Sequence, residues 1–320
     1  MEEAELCFPE LNTSCSKTLR PRSKLFSSLL SFVTFLIVVL NLLVIISISH
    51  FRQLHTNTNL LVFSLAVTDF LVGLLQMPTE ILLYQGCWIL GDLLCVVNFF
   101  FGAFLISVSV GNMVLISVDR YVAICDPMSY STKVTLNRVQ ICICLCWLFS
   151  ALHSCWTVRN IFNQQDRYDL CYGECIIEYQ LTEVAFYTAV TFLGPITVIT
   201  LLYLRVFVVA VSQARAMRSH VAAVADKHSG TVKPKKSEMK AARTLGVVIF
   251  VFLLCYSPLC IITIEVGLSS TLELPMWVVY CNSGVNPLIY ALFYPWFRKS
   301  IKQIVTLQIL QPDSCDANIL

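Results

Sequence analysis

The chain has 320 residues, of which 57% are hydrophobic and only 13% are charged, and its mean hydropathy is +0.74. This composition is too apolar for a soluble globular domain and indicates a protein that folds in lipid. The formal net charge of +2 gives no indication of nucleic-acid binding.

Seven long windows with few or no charged residues predict seven membrane-spanning helices. About 20 apolar residues cross a hydrocarbon core roughly 30 Å thick, because an α-helix rises about 1.5 Å per residue. The predicted spans, numbered in chain order, lie at about residues 25–51, 57–83, 92–124, 138–158, 181–211, 238–265 and 274–294. The fold class is therefore an all-α membrane protein, a seven-transmembrane helix bundle formed by residues 25–297.

Four prolines within these windows predict kinks rather than helix ends, because bare backbone is not tolerated in lipid. They are Pro78, Pro195, Pro258 and Pro287. After span seven, residues 295–307 place apolar and basic side chains on opposite faces, which predicts a short amphipathic eighth helix along the membrane surface. Residues 308–320 then form a cytoplasmic tail.

Basic residues gather in the loops on one side of this arrangement, which predicts that this side is cytoplasmic. The N-terminal tail, residues 1–24, is then extracellular, and it has no apolar region typical of a cleaved signal peptide. It contains Asn12-Thr13-Ser14, which predicts glycosylation of Asn12. The chain is expected to be a multi-pass protein of the cell membrane.

Most of the 15 cysteines lie within the spans, where a free cysteine behaves as a small buried hydrophobe. Cysteines on the extracellular side face an oxidising compartment and can form disulfides. The candidates on that side are Cys7, Cys15, Cys95, Cys171 and Cys175.

Asp69 lies in the middle of span two, where an ionisable group is costly. It has two interpretations, a structural polar network or a cation site with hard oxygen ligands. The spacing alone favours the network. The oxygens available from other spans belong to Ser109, Asn282, Ser283 and Asn286.

Arg120 lies between Asp119 and Tyr121 at the cytoplasmic end of span three. It either reaches toward lipid headgroups, as interfacial arginines do, or pairs with Glu238 at the start of span six. An ion pair of that kind would join two spans and would cost little to break if partly wet. Such a contact suggests a conformational switch.

Signature residues on all seven spans resemble those of the rhodopsin-like, class A G-protein-coupled receptors. They are Asn41, Asp69, Asp119-Arg120-Tyr121, Trp147, Pro195, Tyr203, Phe252, Pro258 and Asn286-Pro287-Leu288-Ile289-Tyr290. Within that class, "NSGVNPLIYALFYPWF" in span seven, "CFPELNTSC" in the tail and "CYGEC" in the second outer loop are similar to the trace amine-associated receptors. The chain resembles a divergent teleost olfactory member.

The resemblance implies a receptor that binds an extracellular small molecule, an odorant amine, and activates a heterotrimeric G protein of the stimulatory type, which raises cyclic AMP. It implies a setting in the membrane lipid of an olfactory sensory neuron. Arg120 would be held by Asp119 and Glu238 in the inactive state and released to contact the G protein. The implied switch residues are Asp119, Arg120, Tyr121, Tyr203, Glu238, Phe252, Pro258, Asn286, Pro287 and Tyr290.

The resemblance also implies a sodium ion at Asp69, Ser109, Asn282, Ser283 and Asn286, and no other cofactor. It implies a disulfide between Cys95 and Cys175, and one from Cys171 to either Cys7 or Cys15.

The expected ligand anchor is missing. Amine receptors carry an Asp five turns outward of the arginine of span three, and about 18 residues before Arg120 stands Gly102. Some fish relatives carry an acid two turns outward of the span-five proline, where this chain has Tyr187. The acids left are Glu80, Glu178, Glu183 and Glu265.

Glu80 is the strongest candidate, because it follows Pro78 closely and could point across the space that Gly102 leaves. Glu183 is next. The predicted pocket residues are Glu80, Gly102, Ala103, Ile106, Glu183, Tyr187, Tyr256, Trp277 and Tyr280.

Other functions fit less well. A light receptor needs a Schiff-base lysine in span seven, and residues 274–297 contain none. The five histidines are scattered, so no catalytic constellation indicates an enzyme. A transporter would predict inverted repeats with paired broken spans, and none is visible. The open alternative is a receptor of the same family with a neutral or other non-amine ligand.

Overall fold

The computed structural model of the protein describes residues 7–11, 14–15, 24–84, 86–163, 173, 175, 181–224, 246–259, 261 and 273–319. No β-strand occurs in these ranges. The helices that correspond to the seven spans are Lys24–His50, Asn57–Tyr84, Gly91–Cys125, Leu136–Asn163, Leu181–Val224, Gly246–Leu259 and Glu273–Phe293. The eighth helix is Pro295–Val305, two residues shorter than expected.

The helix bounds lie close to the predicted ones where both ends are described. Among the described residues, five helices are long and apolar enough to cross a membrane, those of spans one to five. Span five continues well beyond the predicted residue 211, to Val224. Span six is described only for Gly246–Leu259, an apolar helix that is shorter than a full span. These elements confirm the all-α bundle.

Spans two and five each contain one π-helical turn just before a proline. The turns are Val72–Gln76, which precedes Pro78, and Ala189–Leu193, which precedes Pro195. Proline lacks an N–H and its ring clashes with the carbonyl four residues earlier, so a wider turn relieves the conflict while the helix continues. The extra residue also reorients the side chains that follow, including the outer end of span two.

Span three lies at the centre of the bundle and packs against spans two, four and five. Its residues Val108, Met113 and Ile116 are fully buried. Gly111 allows an especially close approach to span four, because a Cβ at this position would collide with Sγ of Cys146. Spans four and five carry many exposed large hydrophobic side chains on their outer surfaces, as expected for helices that face lipid.

Two disulfides join described residues at one end of the bundle, which we call the outer face. Cys95 is bonded to Cys175, as expected, and Cys7 is bonded to Cys87. The second bond shows that Cys7 is not the partner of Cys171, and Cys87 was absent from the sequence candidates. Cys15 is also disulfide-bonded. Cys171 and the glycosylation candidate Asn12 lie outside the described residues.

The tail segment folds over the outer ends of spans two and three. The backbone N–H of Trp88 donates to the carbonyl of Gly173 in the second outer loop (2.9 Å). Gly173 has φ +106°, and a Cβ there would lie 3.1 Å from Cys7 Cβ, so the site requires glycine. Three segments that are distant in sequence therefore meet at the outer face.

At the opposite end, which we call the inner face, the eighth helix starts with Pro295 in its first turn, where the missing N–H costs no hydrogen bond. Trp296 and Phe297 are buried against the bundle. The residues that follow return to the turn after span one, where Arg52 forms an ion pair with Asp316 (3.2 Å). The described part of the tail is thus packed against the inner face.

Candidate functional site

Arg120 lies at the inner face in a dense polar cluster. Its Nε donates to Oδ2 of Asp119 (2.9 Å), and a second guanidinium nitrogen contacts both Asp119 and Thr58 Oγ1. The buried carboxylate of Asp119 also accepts hydrogen bonds from Thr58 (3.0 Å) and from the Tyr130 hydroxyl (2.8 Å). The side chains of Arg120 and Asp119 are only 13% and 3% exposed, so the pair is largely dry.

Tyr130 and Thr58 were not among the sequence candidates. Tyr130 lies in the loop after span three, and nothing in its spacing indicates that the loop folds back to Asp119. Burial raises the pKa of the Tyr130 phenol, so the group stays protonated and acts as a donor. In the same loop, Lys133 Nζ contacts Asp126 (2.6 Å) and lowers the pKa of that carboxyl.

The other predicted switch residues differ in their surroundings. Phe252 is fully buried and packs on Tyr256, with ring centroids 4.3 Å apart. The hydroxyls of Tyr203 and Tyr290 are buried and have no hydrogen-bond partner among the described residues. Glu238, the proposed partner of Arg120 on span six, lies outside the described residues, so that pairing stays a prediction.

Asp69 is completely buried in the middle of the bundle. Its Oδ2 accepts a hydrogen bond from Asn286 Nδ2 (2.8 Å), which joins spans two and seven. Several nearby candidate oxygens lack a hydrogen-bond partner within the described part of the chain. They are Asp69 Oδ1, Ser109 Oγ, Asn282 Oδ1 and Asn286 Oδ1. A buried carboxylate with unsatisfied oxygens on three spans fits the preference of a hard cation.

A second polar chain runs beside Asp69 and joins spans two, three and four. Trp147 Nε1 donates to Ser64 Oγ (3.0 Å), which donates to Asn112 Oδ1 (2.9 Å). Asn112 Nδ2 in turn donates to Thr68 Oγ1 (3.3 Å). Of these residues the sequence had singled out only Trp147. This series of hydrogen bonds joins the central helices to one another through buried groups that have partners.

Toward the outer face, the space beside Gly102 is filled by Gln76. A Cβ on Gly102 would lie 3.2 Å from Gln76 Nε2 and 3.5 Å from its Cδ. Gln76, which lies one helical turn deeper than Glu80, occupies the space that Glu80 was expected to cross, and Glu80 reaches it only through the hydrogen bond from Gln76 Nε2. Gln76 was not a sequence candidate, since its position depends on the π turn of span two.

Glu80 lies next to Gln76 and faces span seven. Its Oε1 accepts a hydrogen bond from Gln76 Nε2 (2.8 Å) and one from the Tyr280 hydroxyl (3.4 Å). Tyr280 is buried and makes an edge contact with Trp277, with ring centroids 6.3 Å apart. A carboxylate beside a phenol and an indole can bind a cation through charge and through the aromatic faces.

Glu183 is buried, whereas Glu80 is half-buried, and the surroundings of the two carboxylates differ. Arg159 Nη2 lies 3.7 Å from Glu183 Oε1, and the Arg159 guanidinium sits 4.1 Å above the Trp156 ring. A cation from the protein itself is thus already near this carboxylate. Glu178 and Glu265 lie outside the described residues.

The remaining pocket candidates are mostly apolar. Tyr187 stacks on His153 with centroids 5.5 Å apart. Tyr256 is buried between Phe252 and Phe192. Ile106 is buried and Ala103 is half-buried on span three. Anionic, aromatic and apolar groups together resemble the lining of a small-molecule site.

Residues 40–290 match the sequence model of a known family, the seven-transmembrane receptors of the rhodopsin family. The chain belongs to this family. It is 36% identical over 334 residues to trace amine-associated receptor 13c of Danio rerio, and the aligned region covers 99% of this chain and 97% of the relative. It is 38% identical over 331 residues to trace amine-associated receptor 9 of Rattus norvegicus, with 98% and 97% covered.

Human trace amine-associated receptor 9 is 37% identical over 335 residues, 99% of this chain and 95% of the relative. Identity at this level over almost the full length confirms membership of the trace amine-associated branch. The protein is thus a multi-pass membrane receptor that couples to G proteins, and it is not an enzyme.

Proposed function

We propose that the protein is a receptor for a small extracellular amine, whose ammonium group binds the carboxylate of Glu80. The observation that supports this proposal is the setting of Glu80 between spans two and seven, with hydrogen bonds from Gln76 and Tyr280. These two donors are neutral, so neither of them neutralises the charge that would attract a ligand ammonium. A charge-assisted hydrogen bond of this kind distinguishes an amine from its neutral isostere.

The names of the relatives agree with an amine ligand, since each is a trace amine-associated receptor. Glu183 is the weaker anchor, because Arg159 lies beside it. The neighbouring Trp277 and Tyr280 offer aromatic faces to a cation close to Glu80. Glu80 thereby takes the place of the acids that other amine receptors carry at the positions of Gly102 and Tyr187.

Ligand binding would be transmitted to Arg120, whose release from Asp119 opens the inner face to a heterotrimeric G protein of the stimulatory type. Tyr203 and Tyr290 then gain partners for their buried hydroxyls in the open state. A sodium ion at Asp69, Ser109, Asn282, Ser283 and Asn286 would bind in the inactive state. It would give a partner to the oxygens of Asp69, Ser109, Asn282 and Asn286 that have none within the described part of the chain.

We place the receptor in the cell membrane of an olfactory sensory neuron, with the N-terminus extracellular and Asn12 glycosylated. The disulfides Cys7–Cys87 and Cys95–Cys175 support this orientation, because the outer face then lies in the oxidising compartment. The first relative comes from a teleost fish, which agrees with a teleost olfactory receptor.

The test is a cyclic AMP reporter screen of the full-length receptor with amines, carboxylic acids and steroids. We expect responses to short alkylamines, and we expect Arg120→Ala to abolish them while surface expression is retained. The second candidate function, a receptor for neutral odorants, is favoured by Gly102, Tyr187 and the neutral Gln76 amide. A response to neutral compounds with silence toward all amines would replace the first proposal with the second.

A further inference from the structure

Two buried amide side chains beside Gly102 carry hydrogen-bonding groups without partners. Gln76 is 2% exposed and Asn98 is 4% exposed. Within the described part of the chain, neither Gln76 Oε1 nor Asn98 Nδ2 has a hydrogen-bond partner. Gln76 Oε1 lies 3.7 Å from the place that a Cβ on Gly102 would take, so the free acceptor is next to the missing ligand anchor.

The remaining atoms of both amides are held by neighbours. Gln76 Nε2 donates to Glu80 Oε1 (2.8 Å) and to Asn98 Oδ1 (3.2 Å), and Asn98 Oδ1 also accepts from Thr79 Oγ1 (2.5 Å). Rotating the Gln76 amide by half a turn would bring its oxygen against the Glu80 carboxylate, which is an acceptor only when ionised. The carboxylate therefore fixes the orientation of the Gln76 amide, and the Gln76 amide fixes the orientation of the Asn98 amide.

The two unsatisfied atoms are complementary in chemistry. Gln76 Oε1 is an acceptor and Asn98 Nδ2 is a donor, and an unsatisfied buried group of either kind is costly. A hydroxyl group both donates and accepts, so a ligand hydroxyl suits an unsatisfied atom of either kind. An alkyl group in the same place would leave both unsatisfied.

We propose that Gln76 and Asn98 form a neutral subsite that binds a ligand hydroxyl beside Glu80, so that the preferred ligands are short-chain amino alcohols. This inference rests on the proposed function, in which Glu80 binds the ammonium group. Gln76 Oε1 belongs to the same amide group as Gln76 Nε2, which contacts Glu80. The hydroxyl and the ammonium of the ligand are therefore separated by a short chain.

The test compares 3-aminopropan-1-ol with n-propylamine, which has the same carbon chain without the hydroxyl. Binding is measured as the ligand-dependent thermal shift of the purified full-length receptor in nanodiscs, which does not depend on the G-protein subtype. We expect the amino alcohol to bind at least about tenfold more tightly, because a site built to hydrogen-bond a hydroxyl discriminates against the analogue that lacks it. The wild-type comparison requires no variant to fold.

Two variants assign the preference to the subsite. Asn98→Ala removes the donor without touching Glu80, and we expect the preference to fall to about threefold or less. Gln76→Met preserves the side-chain length beside Gly102 and removes the acceptor, and we expect the same loss of preference. Glu80→Gln is expected to weaken both compounds alike.

Equal wild-type affinities for the two compounds would overturn the subsite, and so would a preference that survives in both Asn98→Ala and Gln76→Met. The proposed function fails separately, if neither compound binds or if Glu80→Gln leaves the affinity for n-propylamine unchanged. The two failures are thus distinguishable in one data set.

Discussion

The contact between Gly102 and Gln76 predicts that adding one methyl group to the receptor will weaken its response to amines. In Gly102→Ala, the new Cβ would lie 3.2 Å from Gln76 Nε2, so the Gln76 amide must move by a few tenths of an ångström. That nitrogen orients Glu80 through a 2.8 Å hydrogen bond. The substitution therefore disturbs the anchor without touching its charge.

The size of the effect follows from the hydrogen bond that is strained. A hydrogen bond to a charged group contributes about 1.5–3 kcal/mol, and a small displacement weakens it without breaking it. A loss of about 1 kcal/mol corresponds to a roughly fivefold higher concentration of amine at half-maximal response. The measurement is a dose–response curve for an activating amine in the cyclic AMP assay.

A double-mutant cycle with Gln76→Ala supplies the control. Once the Gln76 side chain is truncated, the methyl group of Gly102→Ala meets no amide, and its effect should fall to within about 0.3–0.5 kcal/mol of zero. An equal loss of potency in both backgrounds would show that the methyl group acts on the ligand directly. No loss in either background would refute the contact as a determinant of the response.

Three further experiments test other parts of the bundle. Tyr130→Phe removes the 2.8 Å hydrogen bond to Asp119, and we expect severalfold higher ligand-independent cyclic AMP, with unchanged signalling in the neighbouring control Ser131→Ala. Gly111→Ala overpacks the contact with Cys146, which should cost about 1–3 kcal/mol of stability and lower Tm by several degrees. The second change Cys146→Ala should restore the stability. Replacing potassium by sodium, at a sodium concentration of about ten times the Kd for sodium, should stabilise the receptor by about 1.4 kcal/mol. Asp69→Asn should remove this difference between the two salts. Equal Tm values of the wild type in both salts would exclude the sodium site.

The sequence predicts the bundle well because each span is specified by its own residues. Uncharged windows of sufficient length require helices in lipid whatever surrounds them, and the bounds at Lys24–His50 and Gly91–Cys125 differ from prediction by only one residue at each end. The Cys95–Cys175 bond came from the family resemblance, and the structure confirms it.

The contacts around the candidate site depend on details that the linear pattern does not contain. The π turn Val72–Gln76 changes the direction of the side chains that follow, so the residue beside Gly102 is Gln76 and not Glu80. Tyr130 reaches Asp119 only because a short loop folds back on span three. The Cys7–Cys87 bond depends likewise on where the tail crosses the outer face.

The measurement that tests the central claim most directly is the amine response of Glu80→Gln, with Glu183→Gln as the matched control. Both changes replace a carboxylate by an amide of the same shape, and only the first removes the proposed partner of the ammonium. We predict that Glu80→Gln raises the half-maximal amine concentration about tenfold to a hundredfold, as expected for a lost charge-assisted hydrogen bond, and that Glu183→Gln changes it by less than about threefold. An unchanged amine response in Glu80→Gln, at normal surface expression, would contradict the assignment of Glu80 as the anchor.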